Sequence, residues 1–163
     1  MPRHLEIERK FLVHSPPPRW QRFASTKIIQ GYFPIANKDL EIRLRRKGSQ
    51  HFVTFKAGHG QSRLEEEMQI PQPKFRALWP LTRAARISKR RYRIPWDGRI
   101  IEMDVYYGSH RGLFTADIEF DSVRESRAFR APEWLDREIT GNPQYANRTL
   151  AQRRRLPRKQ TRA

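Results

Sequence analysis

Glu6-Ile7-Glu8-Arg9-Lys10-Phe11-Leu12-Val13 alternates with a period of two. Successive side chains of an extended strand point to opposite faces, so Glu6, Glu8 and Lys10 share one side while Ile7, Arg9 and Phe11 share the other. One face of this strand therefore carries both carboxylates and a cation.

The same pattern recurs along the chain. Period-two stretches predict eight strands over residues 5–13, 27–33, 40–47, 52–57, 63–70, 86–95, 99–107 and 114–121. Ser15-Pro16-Pro17-Pro18 ends the first. Gly58-His59-Gly60 and Trp96-Asp97-Gly98 suit hairpins, and 108–112 suits a longer turn. Short loops between neighbours make the sheet mainly antiparallel. Helices are expected over 18–25, 73–84, 122–129 and 144–154, giving an α+β fold dominated by antiparallel β structure.

Sorted by face, the strands place eight acids and seven bases together. The acids are Glu6, Glu8, Glu65, Glu67, Glu102, Asp104, Asp117 and Glu119; the bases are Lys10, Arg43, Arg45, Lys56, Arg63, Lys89 and Arg91. Two architectures accommodate this. An open sheet would turn its charged face to water. A closed barrel would pack its apolar faces outward under helices and bring the charges together in a cavity. Inside a cavity, clustered carboxylates call for an oxygen-loving divalent cation and clustered Lys and Arg call for an anion, so a metal-bound polyphosphate answers both.

Composition narrows the chemistry further. The 163 residues suit one domain, expected over 1–152, followed by a basic tail over 153–163. Cysteine is absent, which excludes disulfides, thiolate metal sites and cysteine nucleophiles. A carboxylate site without cysteine favours Mg2+ or Mn2+ over zinc or copper. No signal-peptide run or bilayer-length apolar stretch is seen, and a cytoplasmic protein is expected. Lys and Arg outnumber Asp and Glu by 34 to 17, a net charge of +17. Nearly all of that excess lies outside the sorted faces, where it would attract polyphosphate or nucleic acid. The five histidines lack metal-ligand spacing and read as surface or turn residues. Trp20, Trp79, Trp96 and Trp134 read as packing anchors. No glycine-rich phosphate loop precedes a helix, so phosphate binding would fall to side chains.

The stretch quoted first has ordered company: Gln30-Gly31-Tyr32, Ile42-Arg43-Leu44-Arg45, Thr54-Phe55-Lys56, Arg63-Leu64-Glu65-Glu66-Glu67, Lys89-Arg90-Arg91-Tyr92, Glu102-Met103-Asp104, Asp117-Ile118-Glu119-Phe120 and Glu138-Ile139-Thr140-Gly141, with Tyr145, Asn147 and Leu150 beyond. Together these resemble the CYTH superfamily, the triphosphate tunnel metalloenzymes, in its short single-domain bacterial form. The resemblance spans residues 4–151. It implies an eight-stranded closed antiparallel tunnel with helices packed outside, and metal-dependent hydrolysis of a triphosphate. Inorganic tripolyphosphate is the expected substrate, with thiamine triphosphate or a nucleoside triphosphate as alternatives.

By position, the resemblance implies Glu6, Glu8, Asp117 and Glu119 as leading metal ligands and Glu65, Glu67, Glu102 and Asp104 as secondary ones. Lys10, Arg43, Arg45, Lys56 and Arg91, with Arg63 among them, would hold phosphate oxygens. Lys89 falls where the family has a lysine that helps activate water; it serves as a base if its pKa is depressed and as a further phosphate anchor if not, and Lys10 and Tyr32 join it as catalytic candidates. Asp117 stands where the family usually has a glutamate, one methylene longer. Two other readings stay open: adenylyl cyclase activity on the same site, and a non-catalytic polyphosphate- or RNA-binding module. A homodimer is compatible with either.

Overall fold

The computed structural model describes residues 7–58 and 64–153. Glu6, Arg63, His4, His59 and the tail beyond residue 153 lie outside the described residues.

Nine strands form one antiparallel sheet: β1 (Ile7–Val13), β2 (Ser25–Tyr32), β3 (Leu40–Lys47), β4 (Gln50–Ala57), β5 (Leu64–Gln69), β6 (Arg86–Trp96), β7 (Arg99–Tyr106), β8 (Phe114–Phe120) and β9 (Leu135–Glu138), in the order β5-β4-β3-β2-β6-β7-β8-β1-β9. All eight expected strands are present. The ninth is an addition, a four-residue segment with exposed Asp136, Arg137 and Glu138 and no alternating apolar pattern to announce it. Closure also differs in detail. The outermost strands β5 and β9 share no hydrogen-bonded ladder among the described residues, so the tunnel is not sealed by backbone bonds. Side chains reach across intervening strands instead, as where Arg91 on β6 meets Asp117 on β8.

Tight turns enforce the register. Asp97 and Gly98 both have positive φ, 47° and 71°, which matches the twist of a two-residue hairpin. Lys47 pairs directly with Gln50, leaving Gly48 and Ser49 as a second such turn. Gly31 has a different task. A Cβ there would come within 2.6 Å of Thr82 Cβ, so only glycine lets the turn after residue 78 lie on the β2 backbone.

The apolar faces point outward and are covered. Phe11, Ile101, Met103, Ala116 and Ile118 on β1, β7 and β8 are buried with Tyr92 and Ile94 of β6 beneath Trp20, Phe129 and Trp134. A smaller cluster of Leu44, Val53 and Phe75 lies under α1 (Gln72–Leu78). Trp96 is a correction: it is 40% exposed at the end of β6 and belongs to none of the buried clusters among the described residues. His51, in β4, is a correction too, and His110 lies in a turn as expected but is not exposed. Both are buried, His51 against Phe75 and His110 on the Leu150 carbonyl.

The helices α1 and α2 (Val123–Ala128) lie outside the sheet as expected. The last one, α3 (Asn147–Gln152), departs from that arrangement. Its Leu150 and Ala151 are buried with Tyr32, Ile87 and Tyr106, and Leu12 packs beside them. Those four side chains belong to the charged, inner face, so α3 closes one mouth of the tunnel. No described helix is long and apolar enough to cross a membrane.

Candidate active site

Strand register carries the inner face across the sheet without a break. Tyr32 pairs with Arg43, Gln30 with Arg45, Arg43 with Thr54, and Glu41 with Lys56. Lys56 and Thr54 in turn pair with Glu65 and Glu67. On the other side Arg91 pairs with Asp104, Glu102 with Asp117, Asp117 with Lys10, and Glu119 with Glu8. Directly opposed residues of an antiparallel ladder share a face. Every described candidate therefore looks inward. The cations concentrate on β3, β4 and β6, and most acids on β7, β8 and β1.

The two groups meet at a buried junction. Asp104 is fully buried, and Lys89 Nζ donates to its Oδ2 at 2.7 Å. Arg91 donates through Nε to Oδ1 at 2.7 Å and through Nη2 to Oδ2 at 2.8 Å. Arg91 also meets Glu102 at 2.8 Å and Asp117 at 3.3 Å. Burial alone would raise the Asp104 carboxyl, but Lys89 and Arg91 outweigh it and hold the group well below the ordinary carboxylate range. Burial likewise works against the charge on Arg91, yet Asp104 leads its carboxylate neighbours in holding that guanidinium charged. Arg91 draws on three carboxylates, whereas Lys89 has an ion pair only with Asp104 among the described residues. Burial, followed by repulsion from Arg91, Arg45 and Lys10, pushes Lys89 down to about 7 despite Asp104.

Away from the junction the cations are less well matched. Arg45 is pushed down to about 10, by burial first and then by Arg43 and Arg91. Its Nε donates to Gln30 Oε1 at 3.2 Å, and Gln30 Nε2 donates to the Tyr32 hydroxyl at 2.7 Å. Arg43 Nε is buried without a hydrogen-bond partner, and the nearest carboxylate contact of this side chain is Glu67, 3.9 Å from Nη2. Burial raises the Tyr32 hydroxyl, so it keeps its proton.

On the acidic side, Asp117 Oδ1 is buried and accepts no hydrogen bond; the Lys10 ammonium stands 3.8 Å from it. Glu102 opposes Asp117 with the Arg91 guanidinium reaching both, and Glu8 opposes Glu119 on the next strand pair. This all-oxygen donor set and its orphaned buried oxygen fit a hard divalent cation. Among the described residues, no three acids or histidines already converge into a cage. Glu65 and Glu67 are not brought to the other acids. Glu65 pairs with Lys56 at 3.2 Å, and Glu67 accepts from Thr54 at 2.9 Å. Both oxygens of Asp104 are occupied by cations, which suits an orienting role.

Three inner-face groups had no role assigned from sequence. Gln30 links Arg45 to Tyr32, and strand parity places it on the charged face. Tyr106 donates to Asn147 Oδ1 at 2.9 Å, and Lys89 Nζ lies 3.5 Å from the same oxygen. Asn147 sits on α3, where no strand alternation could have flagged it.

A tunnel-like antiparallel sheet with side-chain cations facing carboxylates defines a polyanion site equipped for a hard metal ion. The CYTH domain family matches residues 4–153, and the chain belongs to it. Membership implies a divalent metal. A relative from Nitrosomonas europaea named inorganic triphosphatase is 38% identical over 148 residues, covering 90% of this chain and 96% of its own length. One of the same name from Acetivibrio thermocellus is 32% identical, over 89% and 92%. The crystal structure of an inorganic triphosphatase superposes with a TM-score of 0.73 at 36% identity, covering 91% of this chain and 95% of that one.

Proposed function

We propose that this chain is a cytoplasmic, divalent-metal-dependent inorganic triphosphatase that hydrolyses tripolyphosphate to pyrophosphate and phosphate. The observation that carries this reading is the uncompensated cation cluster: Arg43 with an orphaned Nε, and Arg45 and Lys89 held below their ordinary ranges. Such a cluster is relieved by a polyanion. Relatives named inorganic triphosphatase support the choice of tripolyphosphate.

Phosphoryl transfer asks mainly for positioning and charge neutralisation. Arg43, Arg45, Lys56 and Arg91, with Lys10 and Arg63, hold the phosphate oxygens, and Tyr32 donates its retained proton as a hydrogen bond. Glu6, Glu8, Asp117 and Glu119 would hold Mg2+ or Mn2+, with Glu102 beside them. When bound, the ion neutralises phosphate charge and makes water a better nucleophile. Lys89, charged again once the polyanion lies beside it, anchors the terminal phosphoryl group as that group leaves pyrophosphate, and the proton of the attacking water passes to the phosphate released.

Phosphate release from tripolyphosphate with Mg2+ or Mn2+ tests this, beside Glu8→Gln. Release should require the metal and fall at least about tenfold in the variant. Metal-independent release, or undiminished release by Glu8→Gln, contradicts the reading.

A further inference from the structure

The outer side of β1 carries a clamp that the mechanism above does not use. Arg9, between the inward-facing Glu8 and Lys10, grips Glu138 with both arms of its guanidinium, Nε to Oε1 at 2.9 Å and Nη2 to Oε2 at 2.8 Å. Its Nη1 donates to the Ser126 carbonyl of α2 at 2.9 Å. Glu138 Oε1 also accepts from Thr140 Oγ1 at 2.8 Å. Thr140 Oγ1 then accepts the backbone N–H of Lys10 at 2.9 Å, while Ile139 N–H donates to the Lys10 carbonyl at 2.8 Å. Both backbone groups of Lys10 are thus held by residues 139 and 140, at the point where the β1–β9 register is irregular.

Stability alone gives a weak reason for this arrangement. The Glu138 side chain is 40% exposed, and ion pairs in such places add little to folding. Its geometry does fix one thing: the rotation of the β1 backbone at Lys10, whose side chain points into the tunnel. A side-chain hydroxyl takes the place of a regular ladder bond there, so removing it frees Lys10 without removing a strand.

We infer that Glu138 and Thr140 are positioning residues for Lys10, acting through its backbone from outside the tunnel to hold its ammonium toward the triphosphate. This rests on the triphosphatase reading for the ligand, but the clamp itself can be tested apart from it.

The experiment compares wild type, Thr140→Val, Thr140→Ser, Lys10→Ala and the Lys10→Ala/Thr140→Val double variant. Tripolyphosphate Kd by calorimetry, KM and kcat at saturating Mg2+, thermal midpoint, and exchange of the Lys10 amide by NMR are measured. Thr140→Val should speed Lys10 amide exchange and weaken Kd and KM about tenfold, with kcat changed less. Thr140→Ser, which keeps the hydroxyl, should recover most of that loss. In the Lys10→Ala background Thr140→Val should add almost nothing, because both changes remove one interaction. Full additivity, unaltered amide exchange, or a loss that follows only the thermal midpoint overturns the inference. Failure of wild type to bind or hydrolyse tripolyphosphate would instead overturn the triphosphatase reading, and Lys10 amide exchange would still decide the clamp.

Discussion

The cation wall on β3, β4 and β6 and the acid wall on β7, β8 and β1 share one inner face, yet they are neutralised differently. At their junction Lys89 and Arg91 both donate to Asp104, and Lys89 and Asp104 are fully buried. On either side the matching fails: Arg43 Nε and Asp117 Oδ1 are both buried without hydrogen-bond partners. Buried polar atoms are rarely left so, and each orphan costs folding free energy. The junction therefore holds the walls together, while under the proposed function the two mismatched flanks would receive an anion and a cation.

The largest effect should come from breaking the junction. Asp104→Ala leaves Lys89 buried without its carboxylate, takes one of three from Arg91, and should cost about 3–5 kcal/mol of stability. Urea unfolding measures it, and a loss below about 1 kcal/mol would show that the junction does not hold the walls together.

Next comes Lys89, whose proton separates the junction from the cation wall. Its pKa in the folded protein, about 7, lies below the ordinary 10.5, so between those values the unfolded chain binds more protons than the native one. Wild type should therefore gain stability relative to Lys89→Met as pH rises through that window. An anion beside Lys89 raises its pKa again. Near pH 8, tripolyphosphate binding should take up roughly one proton more in wild type than in Lys89→Met, from the ionisation of one lysine. Calorimetry in buffers of different ionisation enthalpy reads that difference, and equal uptake would remove Lys89 from the cation wall.

The smallest effect sharpens the acid wall. Asp117→Glu restores the longer carboxylate usual in the family and should move the Mg2+ concentration for half-maximal activity by less than about tenfold. A larger shift would mean that the short side chain sets the metal geometry.

Much of this was legible in the sequence because strand parity is local. Alternation in Glu6-Ile7-Glu8-Arg9-Lys10 and its counterparts placed the described candidates on one face. Parity cannot show which acids converge. The pairing of Glu65 with Lys56, and of Glu67 with Thr54 and Arg43, depends on β5 lying beside β4 rather than beside β8. The ninth strand escaped because its four residues have no apolar alternation, and Asn147 because a helix end brings it to the tunnel from far along the chain. The outer clamp was visible only as the string Glu138-Ile139-Thr140-Gly141. Its proposed role rests on contacts 129 and 130 positions back along the chain, the Arg9 guanidinium on Glu138 and the Lys10 backbone N–H on Thr140.

The most direct test of the two-wall account measures tripolyphosphate KM and the Mg2+ midpoint for Arg45→Gln and Glu119→Gln beside wild type. Arg45→Gln should raise KM by about tenfold or more and leave the Mg2+ midpoint in place, while Glu119→Gln should raise the midpoint by a similar factor with a smaller change in KM. If both variants move the same parameter, or neither moves any, the division of the tunnel into an anion wall and a metal wall is contradicted.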